Sequence, residues 1–234
     1  MSFWQVTMRR SVRLSKTYFI LGAAMSVYGV VLSNILSIIP ADSANPASTS
    51  IDLTNSFPFL SVALLSLSAL LFSLPVVMLF VYDKNSGVLE YLLSTGLDQL
   101  DIFKGYVKAS LSLATYLLVF STILNTALGT YLGTSLGLMA TMAVLTFVIG
   151  ISEVFLVTVS MMAFSSLQKT PMGANQPLGV VIGIIPMFPA LILPLVFPSL
   201  AIVIDLLIAV ATLLVSLALL LSIKHLILRE KLLP

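Results

Sequence analysis

Seven charged side chains fall within the stretch VYDKNSGVLEYLLSTGLDQLDIFKGYVKAS: Asp83, Lys84, Glu90, Asp98, Asp101, Lys104 and Lys108. The whole chain carries only eleven Lys and Arg and nine Asp and Glu, so this segment is a concentration of polar chemistry in a molecule otherwise close to hydrocarbon. Elsewhere the chemistry is sparse. His225 is the sole histidine and there is no cysteine, which excludes a histidine metal cluster, a His-based triad, thiolate ligands, disulfides and a Cys nucleophile within one chain. The ten methionines scatter without pairing, which argues against a copper-type methionine site. Two acids interrupt apolar runs. Asp205 lies a few residues from the outer end of its run and is expected to reach the interface by snorkelling. Glu153 sits near the middle of its run, roughly 20 Å from the inner end at helical rise, where a carboxyl is costly unless protonated, paired or wetted. Thr146, Gly150 and Ser160 share its helical face. That seam suits either a lined translocation path with a substrate or proton contact, or a protonated acid hydrogen-bonded between helices. Ser112, Thr115, Thr122 and Thr126, with Asn125 beside them, form a second polar stripe whose hydroxyls point to helix packing. Glu153, Thr146, Thr122 and Asn125 are the path candidates.

The elements that must position these residues are membrane spans. At 59% hydrophobic and 9% charged residues, with mean hydropathy +1.14, the chain is far from a soluble domain. Its 234 residues leave room for about six spans of roughly 20 residues each and for no soluble catalytic domain. A formal charge of +2 is too small to indicate nucleic acid. Six apolar runs can be marked, at 18–39, 58–82, 105–129, 136–165, 178–193 and 201–223. The fifth contains Pro186 and Pro189 and precedes Pro194 and Pro198, so it is expected to be kinked or broken at its outer end. Its Gly179 and Gly183 form a small-residue pair suited to helix contact.

Charge sets the orientation. Arg9, Arg10, Arg13 and Lys16 precede the first run, Lys84, Lys104 and Lys108 follow the second, Lys169 follows the fourth, and Lys224, Arg229 and Lys231 end the chain. All fall on one side of a six-span layout, whereas the opposite loops carry only Asp42 and Asp52. The positive-inside rule places both termini and the charged segment in the cytoplasm. The first apolar run, at about 22 residues, is too long for the core of a cleaved signal peptide and is expected to stay as a span. Before it, Phe3, Trp4, Met8, Val12 and Leu14 occupy one half of a helical wheel, and Gln5, Arg9, Arg10, Arg13 and Lys16 the other. That is the pattern of a helix lying in the interface.

A mere connection between spans two and three needs only a few residues, so a segment of about 20 requires a purpose. Val88, Leu89, Leu92 and Leu93 recur at helical spacing with Glu90 off the stripe, which predicts a short amphipathic helix. After a turn at Gly96, Asp98 is a natural N-cap and Asp101, three residues on, favours the helix dipole.

The run Asp83, Lys84, Gly87, Val88, Leu89, Glu90, Leu92, Leu93, Thr95 resembles the acid, base, Gly, Thr, Leu, Glu, Leu, Leu, Thr, Pro pattern of ATP-binding-cassette type-2 permeases, the membrane subunits of ABC exporters. Asp98 and Asp101 fall where that family has a Ser or Thr and a Glu. The likeness covers the layout of the whole chain and about 25 residues of motif. Gly96 replaces the family's usual Pro, and Tyr106 stands where a Lys commonly follows the glycine matched to Gly105, a change that flanking Lys104 and Lys108 make inconsequential.

The resemblance implies an all-α polytopic membrane protein with six transmembrane helices, an N-terminal amphipathic elbow helix over 1–16 and a cytoplasmic coupling segment over 83–104, in a single transmembrane domain over 1–234. It implies a permease in the plasma membrane, paired with a second permease copy in a homodimer or pseudo-dimer and surrounded by lipid. Asp83, Lys84, Gly87, Leu89, Glu90, Leu92, Leu93, Asp98 and Asp101 would couple it to a nucleotide-binding ATPase subunit, where ATP and Mg would be bound. Independently of the resemblance, the chain has no G-x-x-x-x-G-K-[ST] loop and is not itself expected to be an enzyme. The shorter loop SSLQKTPMGANQP fits a second contact of this kind and fits a plain turn equally well, since Pro, Gly and Asn are expected of any turn. Two other classes remain: a proton-coupled secondary carrier using Glu153, and a non-transporting membrane scaffold.

Overall fold

The computed structural model describes residues 2–36, 57–163 and 187–226. Most of the predicted fifth span with Gly179 and Gly183, the loop holding Lys169, the first outer loop and the C-terminal Arg229 and Lys231 lie outside the described residues. The described chain is all helical, without strands. It runs α1 (Phe3–Leu14), α2 (Lys16–Leu36), α3 (Phe57–Asn85), α4 (Val88–Ser94), α5 (Gln99–Tyr131), α6 (Leu136–Ala163), α7 (Met187–Val196), a 3₁₀ turn (Pro198–Leu200) and α8 (Ala201–Leu226).

Five of these, α2, α3, α5, α6 and α8, are long and apolar enough to cross a membrane, which marks a multi-pass membrane protein. They coincide with the first four and the sixth apolar runs. The fifth run enters the described residues in α7, with Pro194 inside it and Phe197 outside any helix before Pro198 starts the 3₁₀ turn. The break falls where the proline cluster predicts it, because each proline removes a backbone donor and clashes with the preceding turn.

Helices α3 and α6 form the centre, with 72% of each membrane window buried, whereas α8 buries 22% and lies at the edge. Phe59 and Val62 pack with Met139 and Met142 at one end, and Val77 packs with Val157 and Met161 toward the other, so α3 and α6 run in the same direction. Close approach uses small residues. Gly22 of α2 fits against Ser68 and Phe72, and Gly150 of α6 against Leu118 and Ser66. The buried line of α8 is Ala201, Asp205, Ala209, Thr212 and Ser216, recurring every three or four residues, while Leu206, Leu207, Val210, Leu213 and Leu214 face outward. Apolar periodicity here is inverted: the lipid-facing side is the apolar one, because lipid is as good a solvent for leucine as a protein core.

Helix α1 departs from the expected wheel. Val12 and Leu14 are exposed, whereas the fully buried positions are Thr7 and Ser11. Their hydroxyls donate to their own helix, Thr7 Oγ1 to the Phe3 carbonyl at 3.0 Å and Ser11 Oγ to the Met8 carbonyl at 2.8 Å, so these short side chains can be buried without cost to hydrogen bonding. Phe3 then packs over Gly105, where any Cβ would collide with its ring.

Candidate functional site

The predicted loop at 83–104 is largely helical. Helix α3 continues through Asp83 and Lys84 to Asn85, and α5 begins at Gln99, leaving α4 between two short turns. Those turns need left-handed backbone, supplied by Gly87 at φ 73° and Gly96 at φ 87°. Asp98 occupies the N-cap of α5 as expected, in extended conformation, but its carboxylate makes no capping bond; its carbonyl accepts from the Asp101 and Ile102 amides.

Asp83 is the node of this region. Its carboxylate is completely buried and accepts two bonds from the Arg10 guanidinium, at 2.7 Å to Oδ1 and 3.0 Å to Oδ2. Tyr106 donates its hydroxyl to Oδ2 at 2.5 Å. Three helices, α1, α3 and α5, are thereby tied through one carboxylate. The Tyr106 ring is held edge-on by Phe3 and Phe80, with centroids 5.7 and 5.2 Å away. A fork of two parallel N–H···O bonds is the strong geometry for such a pair, and the phenol occupies a further lone pair.

Arg10 belongs to the polar half of the α1 wheel, and its partly exposed side chain reaches from there to Asp83; Tyr106, expected to be an inconsequential departure, is instead a partner of that carboxylate. One signal was available: an acid at the end of a long apolar run needs a counter-charge or a donor. It could not say which residue would supply one.

The coupling candidates separate into two groups. Leu89 is 1% exposed and joins Val76, Phe80, Ile102, Phe103 and Tyr106 in one apolar cluster, with Leu92 and Leu93 partly buried against it. Lys84 is also buried. Gly87 holds the turn. On the opposite face Glu90, Asp98 and Asp101 are exposed, together with Tyr91 at 67% and Leu97. One side of α4 is seated on the helix bundle, and the other points away from it.

Among the described residues the path candidates do not converge on one cavity. Asn125 accepts a bond from Asn34 Nδ2 at 2.8 Å and donates to Ser61 Oγ at 3.5 Å, in a cluster that leaves no room for a water molecule. That cluster borders Met139 and Met142, about three turns along α6 from Glu153. Thr122 donates to the Leu118 carbonyl at 2.6 Å, and the Thr146 carbonyl accepts from Ser66 Oγ at 3.5 Å. Glu153 is fully buried, and neither carboxyl oxygen has a hydrogen-bond partner among the described residues. The same is true of Asp205, which is buried against the bundle and does not reach the interface. Ser112 and Thr115 also differ from expectation: they line an open groove and donate to the carbonyls of Lys108 and Leu111 within their own helix.

Compared with known proteins, the chain matches no family model, no curated protein and no solved structure.

Proposed function

We propose that this chain is the permease subunit of an ABC transporter of the type-2 class, an exporter driven by separate ATP-binding subunits and completed by a second permease copy. The observation that carries the proposal is the two-sidedness of α4. A helix that relays force from an ATPase must be fixed to the spans on one side and free on the other. Leu89, Leu92 and Leu93 meet the first requirement, and Glu90 and Tyr91 the second. The Arg10–Asp83–Tyr106 node stiffens the base, since displacement of α4 through α3 or α5 acts on a charge that cannot leave its partners cheaply. The distribution of basic residues supports a cytoplasmic position for both termini, α1 and α4 in this reading.

The test is affinity purification of the tagged chain from its native membrane. An ATPase subunit that co-purifies, and whose hydrolysis depends on an intact α4, supports the assignment. Absence of any ATPase under conditions that preserve the complex overturns it.

A second function, a proton-coupled carrier, draws on one observation: Glu153 is buried at mid-span with both oxygens unpartnered among the described residues. It predicts transport that follows a proton gradient and persists without ATP.

A further inference from the structure

A groove of about 460 Å³ opens between the start of α1 and the outer face of α5. It is lined by Trp4, Lys108, Leu111, Ser112, Thr115 and Tyr116. From these residues we infer that the groove binds a single phospholipid with an anionic headgroup, in the leaflet that borders α1. The inference rests on the membrane-spanning character of the chain and not on transport.

Depth comes first. Helix α5 has 33 residues, about 50 Å at 1.5 Å per residue, against a hydrocarbon core of roughly 30 Å. Tyr131, 86% exposed at its far end, is an interfacial aromatic, and counting about 20 residues back from it puts the other hydrocarbon boundary near Ser112. Lys108 then sits one turn outside, at headgroup level, and Tyr116 one turn inside.

Chemistry follows the same gradient. Lys108 is exposed, and its ammonium has no ion-pair partner among the described residues. Ser112 and Thr115 donate their hydroxyl hydrogens to the Lys108 and Leu111 carbonyls of their own helix, so at the level of the glycerol backbone they are short side chains that leave room and make no donor contact. Leu111 and Tyr116 offer apolar surface where an acyl chain begins. The wall opposite is Trp4, an indole suited to the headgroup boundary. Among the described residues no acid lines the groove, and on α5 Asp101 lies about two turns further toward α4. Cation, a gap beside short side chains and an apolar wall succeed one another in the order of an anionic phospholipid's headgroup, glycerol and acyl chain.

Trp4 is the only tryptophan, so its emission reports this site alone. The full chain is reconstituted into phosphatidylcholine vesicles containing increasing fractions of brominated phosphatidylglycerol or, separately, brominated phosphatidylcholine. Quenching by the anionic lipid is expected at about fivefold lower mole fraction than by the zwitterionic one, the worth of one basic side chain at an anionic surface. Lys108→Gln is expected to abolish that preference while quenching by brominated phosphatidylcholine persists, which also shows that the variant is folded and inserted. Lys104→Gln, the same change of charge outside the groove, is expected to retain it. Equal quenching by both lipids in the unaltered chain overturns the inference, as does an equal effect of the two substitutions, which would mean a general surface attraction. Protection of Trp4 from both lipids would assign the groove to a protein contact such as a second copy. Reversal of the preference by added inorganic phosphate would assign it to a soluble anion.

Discussion

Arg10 and Asp83 are separated by 73 residues of sequence and joined by two hydrogen bonds, of 3.0 and 2.7 Å. The Asp83 side chain is inaccessible to solvent while the Arg10 side chain is 39% exposed, so the pair bridges the buried end of α3 and the exposed side of α1. Arg10→Ala strands a buried charge, and its expected cost is about 3 kcal/mol, at the low end for broken buried pairs because Arg10 is partly solvated. The double variant Arg10→Met with Asp83→Leu is expected to lose less than the sum of the two singles, the remaining loss reflecting the Tyr106 hydroxyl left without its acceptor. Thermal unfolding in detergent of the two singles and the double measures the coupling, and strictly additive losses would show that the two groups do not interact.

Tyr106→Phe separates hydroxyl from ring. The edge-on contacts with Phe3 and Phe80 survive, whereas the bond to Asp83 is lost. A hydrogen bond to a charged group is worth about 1.5–3 kcal/mol, and a destabilisation in that range is expected in the same unfolding assay. A silent substitution would make Tyr106 a packing residue only.

Glu90→Ala and Tyr91→Ala alter the outward face of α4 and touch no buried group. Stability is expected to change by no more than about 0.5 kcal/mol, while binding of an ATPase partner, partner-dependent ATP hydrolysis and transport decline together. Leu89→Ala acts differently. Its side chain is 1% exposed, so it should cost about 2–5 kcal/mol through the cavity it leaves. Normal transport by both surface variants would remove α4 from the coupling role.

At Glu153 stability and function are expected to move in opposite directions. The carboxyl has no partner among the described residues, and the Thr146 carbonyl is already bonded to Ser66, so Glu153→Leu removes an unsatisfied group without orphaning Thr146. A gain of about 1 kcal/mol is expected, together with loss of transport or of its pH dependence if the carboxyl contacts proton or substrate. Glu153→Gln keeps size and hydrogen-bonding capacity without ionisation. Transport unchanged at every pH in both variants would exclude a functional role.

The absence of native cysteines makes topology directly testable. Ser135 and Asn85, both exposed, lie at opposite ends of the bundle. A cysteine at Ser135 is expected to react in intact cells with an impermeant thiol reagent, and one at Asn85 only after permeabilisation. Reaction of the Asn85 variant in intact cells reverses the proposed orientation.

What the amino-acid order determined alone is the set of features that are sums over neighbouring residues. Hydropathy over about 20 residues located α2, α3, α5, α6 and α8. Helical spacing of Val88, Leu89, Leu92 and Leu93 located α4, and Gly96 and Asp98 marked the turn after it and the start of α5, whereas the turn at Gly87 came from the structure. The proline cluster located the break between α7 and α8. Each of these signals is local, because backbone hydrogen bonding and desolvation act within a turn or across one bilayer thickness. Tertiary structure alone decided the rest: that Arg10 reaches Asp83, that Tyr106 completes the pair, and that Asn125 finds Asn34. It also decided that Ser112 and Thr115 face a groove and that Glu153 and Asp205 are enclosed without partners among the described residues. These outcomes depend on how far each helix is rotated about its axis and where it crosses its neighbours. In lipid an apolar side chain gains little by turning inward, so apolar periodicity does not set that rotation. Small-residue contacts such as Phe3 over Gly105, and the need of each buried polar group for a partner, set it instead.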